Sequence, residues 1–325
     1  MNIIYRTAKK TDVTEMAKLW NIEANRRGFY KPIEEKKYQE KMESDPNINY
    51  DNVYLAFDDE KLVAFLIVIY RSGNLETAYL NAILTLSEYR KMGIMNHLLS
   101  VAEDDIRSKG YKKIVATNFL PSCYSWFIPG EGSDDHPCAP GLSINSSEYL
   151  FYLHHGYEAF AYQDAFHLNL SDYELSPKIK EILEENKKDN ILIELYDPSK
   201  HYGIDEFCKE LNIYDFEKVI KENLALEKPY PFLVVAKDNR VVGWTGAMWN
   251  EESGRGHFDG IAILEEVRGR GLGKALFSSL AYYSKMNGAK FMTFYTGLTN
   301  HARYIYMGAG FKIRQSFCAM KKELK

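Results

Sequence analysis

Two rhythms of apolar residues divide the chain into elements, and one run carries both. Along Gly260-Ile-Ala-Ile-Leu264, Ile261 and Ile263 alternate with small neighbours, as a half-buried strand should. After a glycine-rich turn, Leu272, Leu276 and Leu280 recur every four residues with Ala275 and Ala281 beside them, which marks one helix face. The same rhythms predict a strand at Ile3–Thr7 and a helix after a Thr11/Asp12 cap, carrying Val13, Met16, Ala17 and Trp20. A polar helix over 33–42 follows, then a hairpin, Val53–Phe57 and Leu62–Tyr70, around Asp58-Asp-Glu-Lys. Ala78–Leu84 reads as a strand, Ile94, Leu98, Val101 and Ala102 as a helix face, and Ile114–Asn118 as the next strand. Past a polar connector with one short helix, a second series starts at Ile191–Leu195. It continues with helices near 205–211 and 214–226, a hairpin of 232–237 and 241–249, and strands over 256–264, 291–296 and 312–321.

The two series are one pattern used twice. Asp59-Glu-Lys-Leu-Val-Ala64-Phe65 matches Asp238-Asn-Arg-Val-Val-Gly243-Trp244, 179 residues on. Arg90-Lys-Met-Gly93-Ile-Met95 matches Arg268-Gly-Arg-Gly271-Leu-Gly273, and Tyr152-Leu-His-His-Gly156-Tyr157 matches Tyr306-Met-Gly-Ala-Gly310-Phe311. Arginine and tyrosine stand 62 residues apart in the first copy and 38 in the second, and the excess falls in 119–145, rich in Pro, Gly, Ser and Asp. Trp126 and Phe127 in that loop either pack it down or serve as a lid or part of an interdomain contact, and packing is the reading preferred. The boundaries drawn are a domain over 1–170, a linker over 171–190 and a domain over 191–325.

The turn of the second copy has the makings of an anion site. Its glycines bring backbone amides to a helix N-terminus without Cβ atoms in the way. Arg268, Arg270 and Lys274 add positive charge, so a pyrophosphate fits. A Walker A loop would need Gly at 268 and Ser or Thr at 275, where Arg268 and Ala275 stand. A dinucleotide fingerprint needs G-x-G-x-x-G, whereas Gly269, Gly271 and Gly273 run G-x-G-x-G. What fits is R-x-x-G-x-G after a strand, with Ala302, Tyr306, Gly310 and Phe311 spaced as in N-x-x-A-x-x-x-Y-x-x-x-G-F. That combination resembles the GCN5-related N-acetyltransferases, and the doubled layout is similar to the mycothiol synthase group. The family's asparagine falls one place late, at Asn300, with Thr299 at the expected position.

The resemblance implies an α/β (α+β) fold: two tandem domains, each a mixed, mostly antiparallel twisted sheet flanked by helices, with a splayed central strand pair. It implies acetyl-CoA as co-substrate, held by Ile261, Ala262, Ile263, Arg268, Gly269, Arg270, Gly271, Leu272, Gly273, Lys274 and Asn300, with Tyr306 facing the thioester sulfur. A phenol near its ordinary pKa is protonated at neutral pH and can donate to the departing thiolate. For the base, the strand offers His257, with Asp259 on the same face to orient the ring or hold the amine; a water chain serves equally. The first copy keeps Arg90, Gly93 and Tyr152, but Met95 replaces the second glycine and Tyr79 stands where His257 would be. It is therefore expected to be non-catalytic, or to bind acetyl-CoA without turnover, with the reverse assignment as the alternative.

Composition adds limits. The 46% hydrophobic and 26% charged residues describe a globular protein, and a net charge of −4 gives no general attraction to nucleic acid or membrane. No apolar run reaches bilayer length and no signal segment is expected, so the expected location is the cytoplasm. Cys123, Cys138, Cys208 and Cys318 show no C-x-x-C spacing and are expected to be four thiols. Glu206, Glu210, Glu217, Glu222 and Glu227 form either an acidic wall for a cationic amine or a solvated helix face. The expected acceptor is a small-molecule or peptide amine, and the chain is expected to be a monomer or a homodimer. A binding module without turnover is the competing class.

Overall fold

A computed structural model describes residues 2–117 and 123–324. In chain order the elements are β1 (Ile3–Thr7), α1 (Val13–Arg27), α2 (Glu35–Ser44), β2 (Val53–Asp58), β3 (Lys61–Tyr70), β4 (Thr77–Thr85), α3 (Ile94–Ser108) and β5 (Lys113–Ala116). The inserted segment supplies β6 (Trp126–Phe127), β7 (Asp135–His136) and β8 (Leu142–Ser143), followed by α4 (Ser147–His154) and β9 (Glu158–Asn169). The second series is α5 (Pro177–Lys187), β10 (Ile191–Leu195), α6 (Ile204–Leu211), α7 (Tyr214–Leu224), β11 (Leu233–Lys237), β12 (Arg240–Gly246), β13 (Arg255–Gly256) and β14 (Gly260–Ile263). It ends with α8 (Leu272–Met286), β15 (Phe291–Gly297), α9 (Ala302–Gly308) and β16 (Lys312–Glu323). Among the described residues no helix is long and apolar enough to cross a membrane.

Two compact units emerge, residues 1–164 with 314–325, and residues 165–313. They depart from the sequence-drawn boundaries at three places, the first being residues 165–170, which belong to the second unit. The segment 171–190 is no free linker: Pro177 opens α5 behind a Ser176 cap, and α5 packs on α8 within the second unit. The final strand belongs to the first unit, where Met320 to Glu323 pair antiparallel with Ala116 to Lys113 of β5. Apolar Phe317, Cys318 and Met320 are buried there, and burial outweighs nearness in sequence.

In the first unit β1 to β4 form an antiparallel ladder, and among the described residues β4 runs parallel to β5 from Thr77 to Leu80. In the second unit β10, β11, β12 and β14 are antiparallel, and β15 meets its parallel neighbour only at Arg255/Phe291 and Gly256/Met292. The strand expected over 256–264 is thus two short ones interrupted at 257–259, and β14 has an open edge. Leu264 N donates to Val242 O at 2.9 Å, and β14 pairs Trp244 with Ala262. By alternation, Ala262 faces β12 while the amides of Ile261 and Ile263 face the opening.

The insert folds back on itself through β6 and β7, which pair Trp126 with His136. Trp126 is fully buried beside Phe29 and Phe317, as the packing reading expects; residues 119–122 lie outside the described residues. The same fold-back overturns the expectation of four thiols. Cys123 and Cys138 come within 4.8 Å at Cα and form a disulfide, while Cys208 and Cys318 are free and buried. A hairpin brings together cysteines whose separation in sequence carries no motif.

Candidate active site

The glycine loop of the second unit is set by its backbone. Gly269 and Gly271 have φ of 81° and 76°, in the left-handed region that costs little only for glycine, and Gly271 caps α8. Among the described residues, the amides of Gly271, Leu272 and Gly273 meet no backbone acceptor and open the helix N-terminus. Behind the loop stands α5, which sequence reasoning missed as a support. Asn186 Nδ2 donates to Arg270 O at 3.2 Å, and Asp189 pairs with the Arg270 guanidinium at 2.6 Å. The Ile182 side chain fills the space a Cβ at Gly271 would enter.

A cleft of about 550 Å³ runs from this loop along the open edge of β14. Of the residues expected to hold the cofactor, Ile261, Ala262, Ile263, Arg268, Gly269, Gly271, Leu272, Gly273 and Lys274 line it. Arg268 Nε also donates to Ile263 O at 3.3 Å, which ties the loop to the strand end. Arg270 turns away to Asp189. Asn300 is spent locally, donating to Thr296 Oγ1 at 2.8 Å and accepting from Ala302 N at 2.9 Å, so it closes the turn that leads into α9. Leu211, Ile213, Val267, His301, Ala302 and Ile305 complete the lining and were not named as cofactor contacts from sequence, although Ala302 and the residue before Tyr306 sit inside the quoted motif.

Tyr306 lies one residue beyond Ile305, 5% exposed, against Phe294 at 4.5 Å and Phe277 at 4.7 Å between ring centres. Burial in this aromatic cluster pushes its pKa up to about 12 and keeps the phenol protonated. His257 and Asp259 do come together: Nε2 stands 2.7 Å from Asp259 Oδ1, and Oδ2 accepts from Ala247 N at 2.9 Å. Trp249 stacks on the imidazole at 4.3 Å. With Nε2–H donating to the carboxylate, Nδ1 carries the basic lone pair; it is buried and unpartnered in the structure. Phe258, between the two, sends its ring toward Tyr306 at 6.3 Å. Alternation therefore puts the His257–Asp259 pair on the other side of the segment, outside the cleft lining. The acidic residues of α6 and α7 form a solvated face, with Glu206, Glu210 and Glu222 exposed and Glu217 paired to Lys221, and Glu227 is exposed just beyond α7.

The first unit repeats this plan with different chemistry. Gly93, φ 80°, caps α3, and Arg90 Nε donates to Thr85 O at 3.3 Å, the same bond from the same position as Arg268 to Ile263. Arg90 and Gly93 line a cleft of about 510 Å³ with Met95. Arg90, however, is ion-paired to Glu23, a carboxylate only 1% exposed. Tyr152, 1% exposed, has its pKa raised by burial. In the second unit, among the described residues, neither Arg268 nor Lys274 meets a carboxylate.

Comparison with known proteins follows the doubling. The model of the Acetyltransferase (GNAT) family matches residues 16–124 and again 191–311. A GCN5-related N-acetyltransferase from Sphaerobacter thermophilus is similar over 99% of this chain and 95% of its own, at 16% identity and a TM-score of 0.62. A tandem GNAT protein from the clavulanic acid biosynthesis pathway is similar over 99% and 98%, at 14% identity and a TM-score of 0.59. A glucosamine N-acetyltransferase region of a fungal multi-domain GH3 beta-N-acetylglucosaminidase gives 15% identity and a TM-score of 0.65, over 99% of this chain and 38% of that one. A search of curated proteins finds no match. At such identities the structural likenesses speak for the fold, and the twofold family match speaks for descent: the chain is a tandem member of the GNAT acetyltransferase family, an acyltransferase.

Proposed function

We propose that the second unit transfers an acetyl group from acetyl-CoA to a primary amine of a small molecule or peptide. The observation that carries this is the contrast between the two loops. The second has two left-handed glycines, open amides and two cations without acidic partners, all facing a cleft along an open strand edge. In the first, the corresponding arginine is committed to buried Glu23.

In this reading the loop amides with Arg268 and Lys274 hold the pyrophosphate. The open amides of Ile261 and Ile263 bond the cofactor's arm and polarise its carbonyl. The amine attacks that carbon, the carbon–sulfur bond breaks, and Tyr306 gives its proton to the departing sulfur. The proton released by the amine leaves through water; His257, held by Asp259 outside the cleft lining, can receive it only at the end of such a chain.

The test is calorimetric titration of acetyl-CoA into wild type, Gly271→Glu/Gly273→Glu and Gly93→Glu, followed by thiol release over a panel of amines. Binding lost only in the second-unit variant is the expected result. Loss in Gly93→Glu instead would move the reaction to Tyr152, and binding without thiol release from any amine would favour a binding module.

A further inference from the structure

The repeat aligns two residues whose difference decides what each cleft admits. Four positions before Tyr306 stands Ala302, and four before Tyr152 stands Glu148. In the second unit Ala302 leaves an apolar wall along the open edge of β14, completed by Ile305, Leu211 and Ile213. In the first unit Glu148 reaches across to Arg27 of α1 and forms an ion pair with it, the side chains only 15% and 22% exposed. Arg27 Nε is held in turn by Glu23 at 3.2 Å, and Glu23 also accepts from Ser87 N at 2.9 Å and Ser87 Oγ at 3.0 Å.

This pair stands between two spaces. Arg27 and Glu148, with Ile83 and Leu84 of β4, wall the outer cleft of about 510 Å³ beside Gly93. The same four residues wall an inner chamber of about 20 Å³ that contains Tyr152, the counterpart of Tyr306. An uncharged thioester arm that followed β4 from the loop to Tyr152 would have to pull apart a pair of largely buried charges and offer neither a partner in return. Among the described residues no such pair stands in the way along β14.

We infer that the Arg27–Glu148 ion pair bars the thioester arm of an acyl-CoA from the first unit, so that each chain takes one cofactor although it carries two loops. Glu148 and Arg27 are then the residues that decide which copy of the fold is loaded. The inference rests on the reading that the second cleft takes the cofactor, and the experiment separates the two.

Acetyl-CoA is titrated by calorimetry into Gly271→Glu and into Gly271→Glu combined with Arg27→Ala/Glu148→Ala. Removing both charges together leaves Glu23 bonded to Ser87 and Arg90, so no buried carboxylate loses all its partners. Glu148→Ala alone, which restores the family's alanine, is the milder variant, and thermal melting confirms that each is folded. The expected result is no binding to Gly271→Glu, one equivalent bound once the pair is removed, and loss of that equivalent on adding Gly93→Glu. Absence of binding in both folded pair-removal variants overturns the inference and leaves the proposed function standing. Binding by Gly271→Glu alone, abolished by Gly93→Glu, overturns both. Binding admitted by Met95→Gly with the ion pair intact also overturns it, because the barrier would then be the methionine.

Discussion

Replacing Gly273 by alanine should separate folding from binding. Gly273 is the second residue of α8 and, unlike Gly269 and Gly271, does not have positive φ. A Cβ there would lie 3.2 Å from Ile305 Cδ1 and 3.8 Å from Ile263 Cδ1, the ends of two side chains that line the cleft. The shorter contact is tight, but a terminal methyl on a flexible side chain yields by a few tenths of an ångström. Against that stands the gain of alanine over glycine, about 1 kcal/mol in a helix interior and less in a first turn. The variant should thus melt no lower than wild type, and up to about 2–4 °C higher if the full gain is realised. The new methyl enters the cleft between Ile305 and Ile263. Crowding a fitted site by one carbon costs about 1–3 kcal/mol, or roughly 5- to 150-fold in affinity for acetyl-CoA. Differential scanning calorimetry and isothermal titration on the same preparation read both quantities. Unchanged affinity with unchanged melting would refute the placement of the cofactor against Gly273.

Three further outcomes are expected. Tyr306→Phe should lower turnover by about 10²–10⁴-fold, the range for a lost proton donor, with little change in acetyl-CoA affinity. Because burial pushes this phenol up to about 12, its acid form persists as pH rises through about 10, where an ordinary tyrosine titrates. Wild-type rate should therefore show no decline assignable to it over that range, and a tyrosine-dependent fall centred near 10 in a pH–rate comparison of the two proteins would count against the assignment. Deleting residues 314–325 should strip β5 of its antiparallel partner while leaving α8, α9 and the second glycine loop in place. Hydrogen exchange should speed up over β5 and β4 and much less over α8; equal acceleration in both units would contradict the division. Reducing the Cys123–Cys138 disulfide, which spans 15 residues, should lower stability by about 3 kcal/mol if chain entropy dominates. Urea unfolding with and without a dithiol measures this, and no shift in the midpoint would show that the β6–β7 fold-back holds the insert unaided.

What could be read from the sequence was local. The αL glycines and the helix face of Leu272, Leu276 and Leu280 lie within a few turns of one another, where spacing fixes geometry, and the arginine and tyrosine of each copy stand out because the pattern occurs twice. Even the arginine-to-strand bond recurs at the same offset in both units, through Arg90 and Arg268. What escaped depends on partners far away in the chain. The interruption at 257–259 sends Phe258 toward Tyr306 and separates the cleft from the His257–Asp259 pair, a separation that a continuous strand does not predict. The bracing of the loop by Asn186 and Asp189 lies in a segment whose polar composition reads as a connector. Nothing in the composition of Lys312–Glu323 names β5 as its partner, since either sheet would accept an apolar strand there.

That placement of β16 has a consequence for synthesis. A ribosome delivers β5 some two hundred residues before Met320 to Glu323 exist to pair with it. Domains ordinarily fold in the order in which they emerge, but here the first copy cannot close its sheet until the second has been translated. Meanwhile the β5 edge offers unpaired amides and carbonyls to any passing strand. The first copy begins first and finishes last, so a stalled or prematurely terminated chain is left with an open edge at the centre of its larger core.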